Sequence, residues 1–322
     1  MSVLSRPAVL LTTLSVTAGL LVAPGVAYAA DTTTRLTAAE MTAAMKAVAA
    51  ASTKAAASGW KSSTRITLDA VTATETSVLD AAHGRYVTTS GTQQLFAVDG
   101  RGIYTQVSDS RQRSALKMMG RTSVRYVFIG NTSVDLDDFA VTPAVVAGYT
   151  IAGSRTTHDD GSADYAVVEP EGAKVTLRVS PAGVLTGAHA ALSDEDGDLD
   201  VTLAYTYGPQ TVTLPAAAAT IGSGTLATGV AYLGMSTAVK RAAVAGAADT
   251  RKAAKGRKVS VTTLRKIVRR DAAATNAAAG ASIVKVKSIT GGTRVYATNP
   301  WTRQTVSYTV KASGRKVLVK KV

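Results

Sequence analysis

The feature that most constrains this chain is a long succession of short alternating segments without the connections that parallel strands require. Apolar or small residues alternate with polar ones through 60–68, and further short segments fill 72–107 and 149–207. Asp99-Gly100 and Asp160-Gly161 mark tight hairpin turns between such segments. Parallel strands need crossovers of about a dozen residues or more. The sequence therefore predicts an antiparallel sheet, and an α+β fold.

Two helical pieces interrupt these strands. A capping box at Thr37 and Glu40 opens an alanine-rich helix that ends near Gly59. A second, short helix is predicted around Leu116 and Met119. We predict that both pieces cover one face of a strongly curved sheet, as a helical lid. The first helix has one thin apolar stripe, formed by Met41, Met45, Val48 and Ser52.

The stretch "LAYTYGPQTVTLP" closes this region. Alternating residues predict a strand as far as Tyr207, and Gly208-Pro209 interrupt it because proline cannot donate to a ladder. Thr211 to Leu214 are predicted to pair only as an edge segment before Pro215 ends the sheet. The stretch therefore predicts the closing edge of a domain.

The strand order, "VTLRVSPAGVLTGAHA" and this tail together resemble the LolA-like superfamily, which includes periplasmic lipoprotein carriers and mycobacterial envelope lipoproteins that bind lipids. The resemblance extends from Asp31 to about Ala217 and depends on the strand order and the tail. The sequence lacks the lipobox cysteine of the mycobacterial members and contains only 5% aromatic residues, so the expected pocket is aliphatic. The tail positions that match are Tyr207, Gly208, Val212, Thr213 and Pro215.

The resemblance implies a half-barrel whose apolar concave face binds acyl chains. The function predicted is an exported, non-enzymatic carrier of lipid or an acylated ligand. The alternative is a wall-associated or sensory interaction module whose sheet has no ligand cavity, with the same side chains forming an ordinary packed core. The candidate ligand-binding residues are Ile66, Leu68, Val78, Tyr86, Leu95, Val98, Ile103, Val175, Leu177, Val179, Leu203 and Tyr205.

The first 29 residues predict export. Arg6, an apolar run and the small-residue pattern Ala27-Tyr28-Ala29 are typical of a cleavable signal peptide, with cleavage before Ala30. The chain has no cysteine, so it offers no disulfide, thiolate or acylation site. We expect a secreted or extracytoplasmic protein, associated with the cell envelope without a lipid anchor.

Charge divides the chain unevenly. From Asp31 to Leu214 there are 15 Lys and Arg against 20 Asp and Glu, a net charge of −5, whereas from Pro215 onward there are 20 against 2, a net charge of +18. Residues 30–217 are the predicted lipid-binding domain, 218–232 a flexible linker, and 233–322 a small basic domain with helices on an antiparallel sheet.

The basic domain predicts an anionic partner. Wall polymers, anionic lipid headgroups and acidic glycans fit an exported protein, whereas the expected export and the lack of a recognition-helix motif argue against nucleic acid. The candidate polyanion-binding residues lie around one helix and are Arg265, Lys266, Arg269 and Arg270.

No motif predicts catalysis, a cofactor or a metal site. Ser114 and Lys117 match a Ser-x-x-Lys pattern without its companion motifs. The three histidines are widely spaced and are expected to be solvated on the surface. The acidic run Asp194 to Asp200 resembles the start of a calcium loop, but Leu199 stands where glycine is needed, which favours a solvated hairpin turn.

Overall fold

The computed structural model describes residues 31–168, 170, 172–194 and 197–322, so the predicted signal peptide, Met1 to Ala29, lies outside the described residues. The helices of the described chain are α1 Ala38–Ala56, α2 Ser110–Met118, α3 Pro143–Val146, α4 Ser223–Leu233, α5 Met235–Ala254 and α6 Val261–Ala279. The strands are β1 Thr32–Leu36, β2 Trp60–Leu68, β3 Val71–Asp80, β4 Arg85–Ser90, β5 Gln93–Val98, β6 Gly102–Gln106, β7 Tyr126–Gly130, β8 Gly153–Thr157, β9 Ala163–Val168, β10 Lys174–Val179, β11 Leu185–Asp194, β12 Gly197–Tyr207, β13 Thr220–Gly222, β14 Lys285–Ile289, β15 Gly292–Thr298, β16 Thr305–Ser313 and β17 Lys316–Lys321.

The strands form two sheets. The larger has the order β1-β8-β9-β10-β11-β12-β2-β3-β4-β5-β6-β7-β13, and the smaller has the order β14-β15-β16-β17. Every described strand register is antiparallel apart from the short pairing of β13 with β7, which is parallel. The larger sheet is open and does not close into a barrel. The predicted α+β class and antiparallel pairing are confirmed.

The chain divides into two compact units. Unit 1 contains the described residues up to Ile103 together with Asn131–Leu214, and unit 2 contains Tyr104–Gly130 together with Pro215–Val322. The predicted domain 30–217 is therefore wrong at one place, because an internal segment belongs with the C-terminal half. By sequence, unit 1 has 10 Lys and Arg against 19 Asp and Glu beyond residue 30, and unit 2 has 25 against 3. The structure thus separates the charges more completely than the predicted boundary does.

The core of unit 1 forms where α1 packs on one face of the sheet. The capping box at Thr37 and Glu40 is present, and the predicted stripe of α1 is buried. Trp60 lies in this core with its ring 5.7 Å from that of Tyr205, in an edge-to-face arrangement. Ser52, fully buried, accepts a 2.9 Å hydrogen bond from the backbone N–H of Leu185. The first residue of β11 is thereby fixed to the helix.

The tail that follows β12 is docked by side chains and does not form the predicted edge strand at Thr211 to Leu214. The fully buried carboxylate of Asp80 accepts a 3.1 Å hydrogen bond from the backbone N–H of Val212, and Arg85 Nη1 donates to the carbonyl of Val212 at 3.2 Å. His83 Nδ1 lies 2.8 Å from the same carboxylate. Because Pro209 and Pro215 limit ladder pairing, side chains satisfy the backbone here.

Unit 2 contains the predicted helices and antiparallel sheet, and both are confirmed. Helices α5 and α6 share one core with the sheet, in which Val239, Leu264, Val295 and Val310 are fully buried. The helices approach closely at Gly246, where an added Cβ would lie 2.8 Å from Val268 Cγ2. The glycine therefore permits a helix contact that a larger residue would block.

The predicted linker 218–232 is wrong, because these residues form β13 and most of α4. Leu226 of α4 is buried with Leu116 of α2 and with Met119, the residue that follows α2, in a separate core of unit 2. An added Cβ at Gly229 would lie 2.5 Å from Met119 Sδ. The small residues of α4 therefore allow the helix to pack closely. Helix α2, which was predicted to cover the larger sheet beside α1, packs against α4 and shares its core with Val127 of β7 and Ile221 of β13.

Candidate functional site

Unit 1 has an apolar surface on the sheet face that carries α1. Strand register places eight apolar residues in two adjacent rows across β11, β12, β2 and β3. Directly opposed residues of antiparallel strands lie on the same face, so these side chains are neighbours. We call this surface the apolar shelf, and its rows are Leu192, Leu199, Leu68 and Val71, and Ala190, Val201, Ile66 and Ala73.

The shelf continues the core toward solvent. Along this face of β2, Trp60 and Ser62 are buried, Thr64 is half-buried, and Ile66 and Leu68 are 38% and 52% exposed. Val71, opposite Leu68, is 72% exposed. Single exposed apolar residues are ordinary on protein surfaces, but a contiguous group marks a binding surface. The shelf is therefore the apolar surface of unit 1 best placed to receive a ligand.

The twelve predicted ligand-binding residues do not form one site. Val78 and Val98 lie on the opposite face, because Val78 is opposed by Lys61 and Val87, and Val98 by Arg85. Their alternation along the strand was correct, but the sequence did not show which face each strand turns inward. Of the twelve, only Ile66 and Leu68 belong to the shelf.

The other predicted residues lie mainly in packed surroundings. Ile103 and Leu203 are partly buried against the core of unit 1, and Leu95 is half-buried in β5. The remaining five are at most 6% exposed in the core that α1 completes, and they are Tyr86, Val175, Leu177, Val179 and Tyr205. The structure thus shows these five as core residues.

Two concave sites among the described residues lie apart from the apolar shelf. One is a groove of about 400 Å³ on the opposite face of β10, β11 and β12, between Arg178, His189 and Thr202. The other is a crevice of about 240 Å³ beside Arg257, where α5 passes into α6. Leu203 is the one predicted ligand-binding residue that lines either of them.

Each histidine lies beside a carboxylate, which the sequence analysis did not predict. His158 lies 3.1 Å from Asp31 and 3.4 Å from Asp164, and His189 Nε2 lies 2.7 Å from Asp200. The bond to Asp31 is the main reason that the pKa of His158 is raised. Among the described residues, no group of three or more metal-ligating side chains could hold a metal ion. Part of the acidic run, Glu195 and Asp196, lies outside them.

Ionisable groups in the core of unit 1 are held in fixed states. Burial raises the pKa of Asp80, but the hydrogen bonds from His83 and from the Val212 N–H outweigh it, so that this pKa is lowered overall. Burial raises the pKa of Tyr205, and it raises that of Tyr207 to about 12. Tyr207 donates a 2.5 Å hydrogen bond to the carbonyl of Leu185. At neutral pH Asp80 is therefore an anion, and Tyr205 and Tyr207 are neutral phenols, and in these states they maintain the fold.

The candidate polyanion-binding residues of α6 are largely engaged within the protein. Arg265 donates to the carbonyls of Gly292 and Ile289, and Arg269 donates to Ser288 Oγ. Arg270 pairs with Asp249 and Asp271. Lys266 is exposed. Arg265 and Arg270 therefore contribute to the structure of unit 2, which the sequence analysis did not anticipate.

No family model matches the chain, and no curated protein matches its sequence. No described helix has the length and apolar character needed to cross a membrane.

Proposed function

We propose that the protein is a non-enzymatic, extracytoplasmic carrier that binds an acyl chain of a lipid or acylated ligand on the apolar shelf. In this proposal unit 1 is LolA-like, its sheet curves around the ligand, and α1 acts as the lid. Unit 2 holds the carrier at an anionic envelope. The observation that carries the proposal is the pair of apolar rows that extends the core face into solvent at Ile66, Leu68 and Val71.

The chemistry of the shelf suits an acyl chain. Each methylene transferred from water to an apolar surface contributes about 0.8 kcal/mol, and the shelf presents aliphatic side chains without a polar interruption in either row. Glu75 and Thr64, which face each other in the next row toward the core, supply polar groups at the side of the shelf. A ligand would therefore lie along the rows with its polar end at their margin.

Direct analysis of bound lipid tests the proposal. The protein purified from its native host is extracted with organic solvent and examined by mass spectrometry, and the purified chain is titrated with a fluorescent fatty-acyl probe. We expect lipid in the extract and saturable binding of the probe. Absence of both would refute it.

A matched pair of variants locates the ligand. Ile66→Asn introduces an amide into the shelf, and Val168→Asn makes the same change at an equally exposed residue, 38% in each case, on the opposite face of the sheet. We expect Ile66→Asn to weaken probe binding by about tenfold, because roughly 1.5 kcal/mol of apolar contact is lost, and Val168→Asn to leave it unchanged. Equal effects would place the probe elsewhere.

The packed core favours a second candidate, an interaction module without a ligand cavity. Tyr86, Leu177 and Tyr205 fill the interior that a half-barrel carrier would leave open for its ligand. In this case the shelf binds a protein partner. The acyl-probe titration separates the two candidates, because we expect a shelf that serves a protein partner not to bind the probe saturably.

A further inference from the structure

The four-stranded sheet of unit 2 has one face covered by helices and an opposite face on which most of the long side chains reach solvent. Helices α5 and α6 pack on the face that carries Val295 and Val310. Alternate residues of every strand project from the opposite side. We call this the open face, and strand register assigns six cationic side chains to it: Lys285, Lys287, Arg294, Lys311, Lys316 and Lys320.

The open face concentrates positive charge without neutralising it. Lys287 and Arg294 are directly opposite each other on β14 and β15, an arrangement of like charges that destabilises a sheet. Asp249 and Asp271, the acidic residues after Pro215, lie on α5 and α6 and pair with Arg270. None of the ion pairs among the described residues includes a cation of the open face. Five of the six cations are exposed, and Arg294 is half-buried against the ring of Tyr296.

The distribution of these cations fits a planar partner. They occupy all four strands, so they extend across three strand spacings, about 14 Å, as well as along the strands. A linear polymer following one row would contact only part of this set. A surface with anionic groups in two dimensions could contact the set as a whole.

An exposed apolar residue at this face points to a bilayer. Leu318 is 53% exposed, lies between Lys316 and Lys320 along β17, and is directly opposite Lys311 on β16. Basic residues around an apolar side chain are typical of surfaces that bind anionic headgroups and insert a short way into the membrane interface. We propose that the open face docks on a bilayer containing anionic phospholipids, with Leu318 entering the interface.

This inference deepens the docking part of the proposed function. It moves the contact from the α6 residues to the open face and specifies the partner as a bilayer. It does not require the apolar shelf to bind an acyl chain. The two proposals can therefore fail separately.

A charge-matched comparison tests the open face. The full chain is sedimented with vesicles of phosphatidylcholine, alone or mixed with phosphatidylglycerol. One variant replaces Lys285, Lys287 and Lys320 with glutamine, and its control makes the same change at the exposed Lys240, Lys252 and Lys255 at α5. We expect salt-sensitive binding to the anionic vesicles alone, a loss on the order of 100-fold for the open-face variant, and a few-fold loss at most for the control. Equal losses would show that overall charge, and not this face, determines binding.

A second pair of variants distinguishes a bilayer from a soluble polyanion. Leu318→Asn should weaken vesicle binding several-fold and leave the binding of polyphosphate unchanged, while Val244→Asn, at a residue of α5 that is 46% exposed, should change neither. Binding of polyphosphate without binding of anionic vesicles would overturn the bilayer assignment, and so would vesicle binding that is indifferent to Leu318→Asn. The acyl-probe titration is repeated on the open-face variant, and retained probe binding shows that unit 1 is intact.

Discussion

Removal of the Asp80 carboxylate tests how the tail after β12 is held. In Asp80→Ala the backbone N–H of Val212 loses its acceptor while remaining buried, since Val212 is only 2% exposed. An unsatisfied buried donor costs about 1 to 3 kcal/mol, whereas His83, whose side chain is 57% exposed, can turn to water. We therefore expect the free energy of unfolding of unit 1 to fall by about 2 kcal/mol.

Trp60 provides the assay. The chain has two tryptophans, so a Trp301→Phe background leaves Trp60, 1% exposed in the core of unit 1, as the sole source of tryptophan fluorescence. Urea unfolding followed at this residue compares Asp80→Ala with Asp80→Asn, which keeps an acceptor and should lose less, and with Asp159→Ala at an exposed position. A loss below about 0.5 kcal/mol for Asp80→Ala, or an equal loss for Asp159→Ala, would refute the reasoning.

The same carboxylate gives a dependence on pH. Its pKa in the folded protein is below the ordinary value of 3.8, so the unfolded chain is protonated first as the pH falls. The stabilisation is complete above pH 3.8 and is lost as the pH falls through the lower, folded value. The difference between wild type and Asp80→Ala should accordingly persist at neutral pH and shrink in acid.

Three other predictions concern single contacts. His158→Gln should remove a stabilisation that is fully present below pH 6.5 and is lost as the pH rises through the raised folded pKa, which an NMR titration of the histidine ring will place above 6.5. Ser52→Ala should destabilise unit 1 by about 1 to 2 kcal/mol in the Trp60 assay, because the Leu185 N–H loses its partner, and a neutral result would show that water replaces the hydroxyl. Gly246→Val should destabilise unit 2 by about 3 kcal/mol without affecting unit 1, and equal losses in the fluorescence of Trp60 and Trp301 would contradict the division into units.

Local patterns in the sequence predicted local structure well. The capping box at Thr37 and the spacing of Met41, Met45 and Val48 were sufficient for α1, because capping and burial periodicity act within a few turns. The hairpin turn at Asp99-Gly100 likewise depends on neighbouring residues. The four strands of unit 2 follow one another in the sheet in sequence order, so their turns predicted their pairing.

Features that depend on distant partners were not predictable in this way. β1 has few apolar residues and forms because β8, far along the chain, offers a free edge. The glycines and alanines of α4 resemble a linker until Met119 is placed beside Gly229. The two rows of the shelf could be identified only from the register of four strands. The open face could be identified only from the register of four other strands. The candidate sites therefore became visible only once strand pairing was known.

The interruption of unit 1 by residues of unit 2 has a consequence for how the chain must be made. A polypeptide that emerges N-terminus first presents Leu116 and Met119 before the strands β8 to β12 have been synthesised, and their partners Ile221 and Leu226 arrive later still. During that interval α2 has an apolar side without its native cover, which is the condition under which nascent chains aggregate or recruit chaperones. A chain truncated after Leu214 would remain permanently in that condition, so neither half of this protein can be obtained in its native form by a single cut.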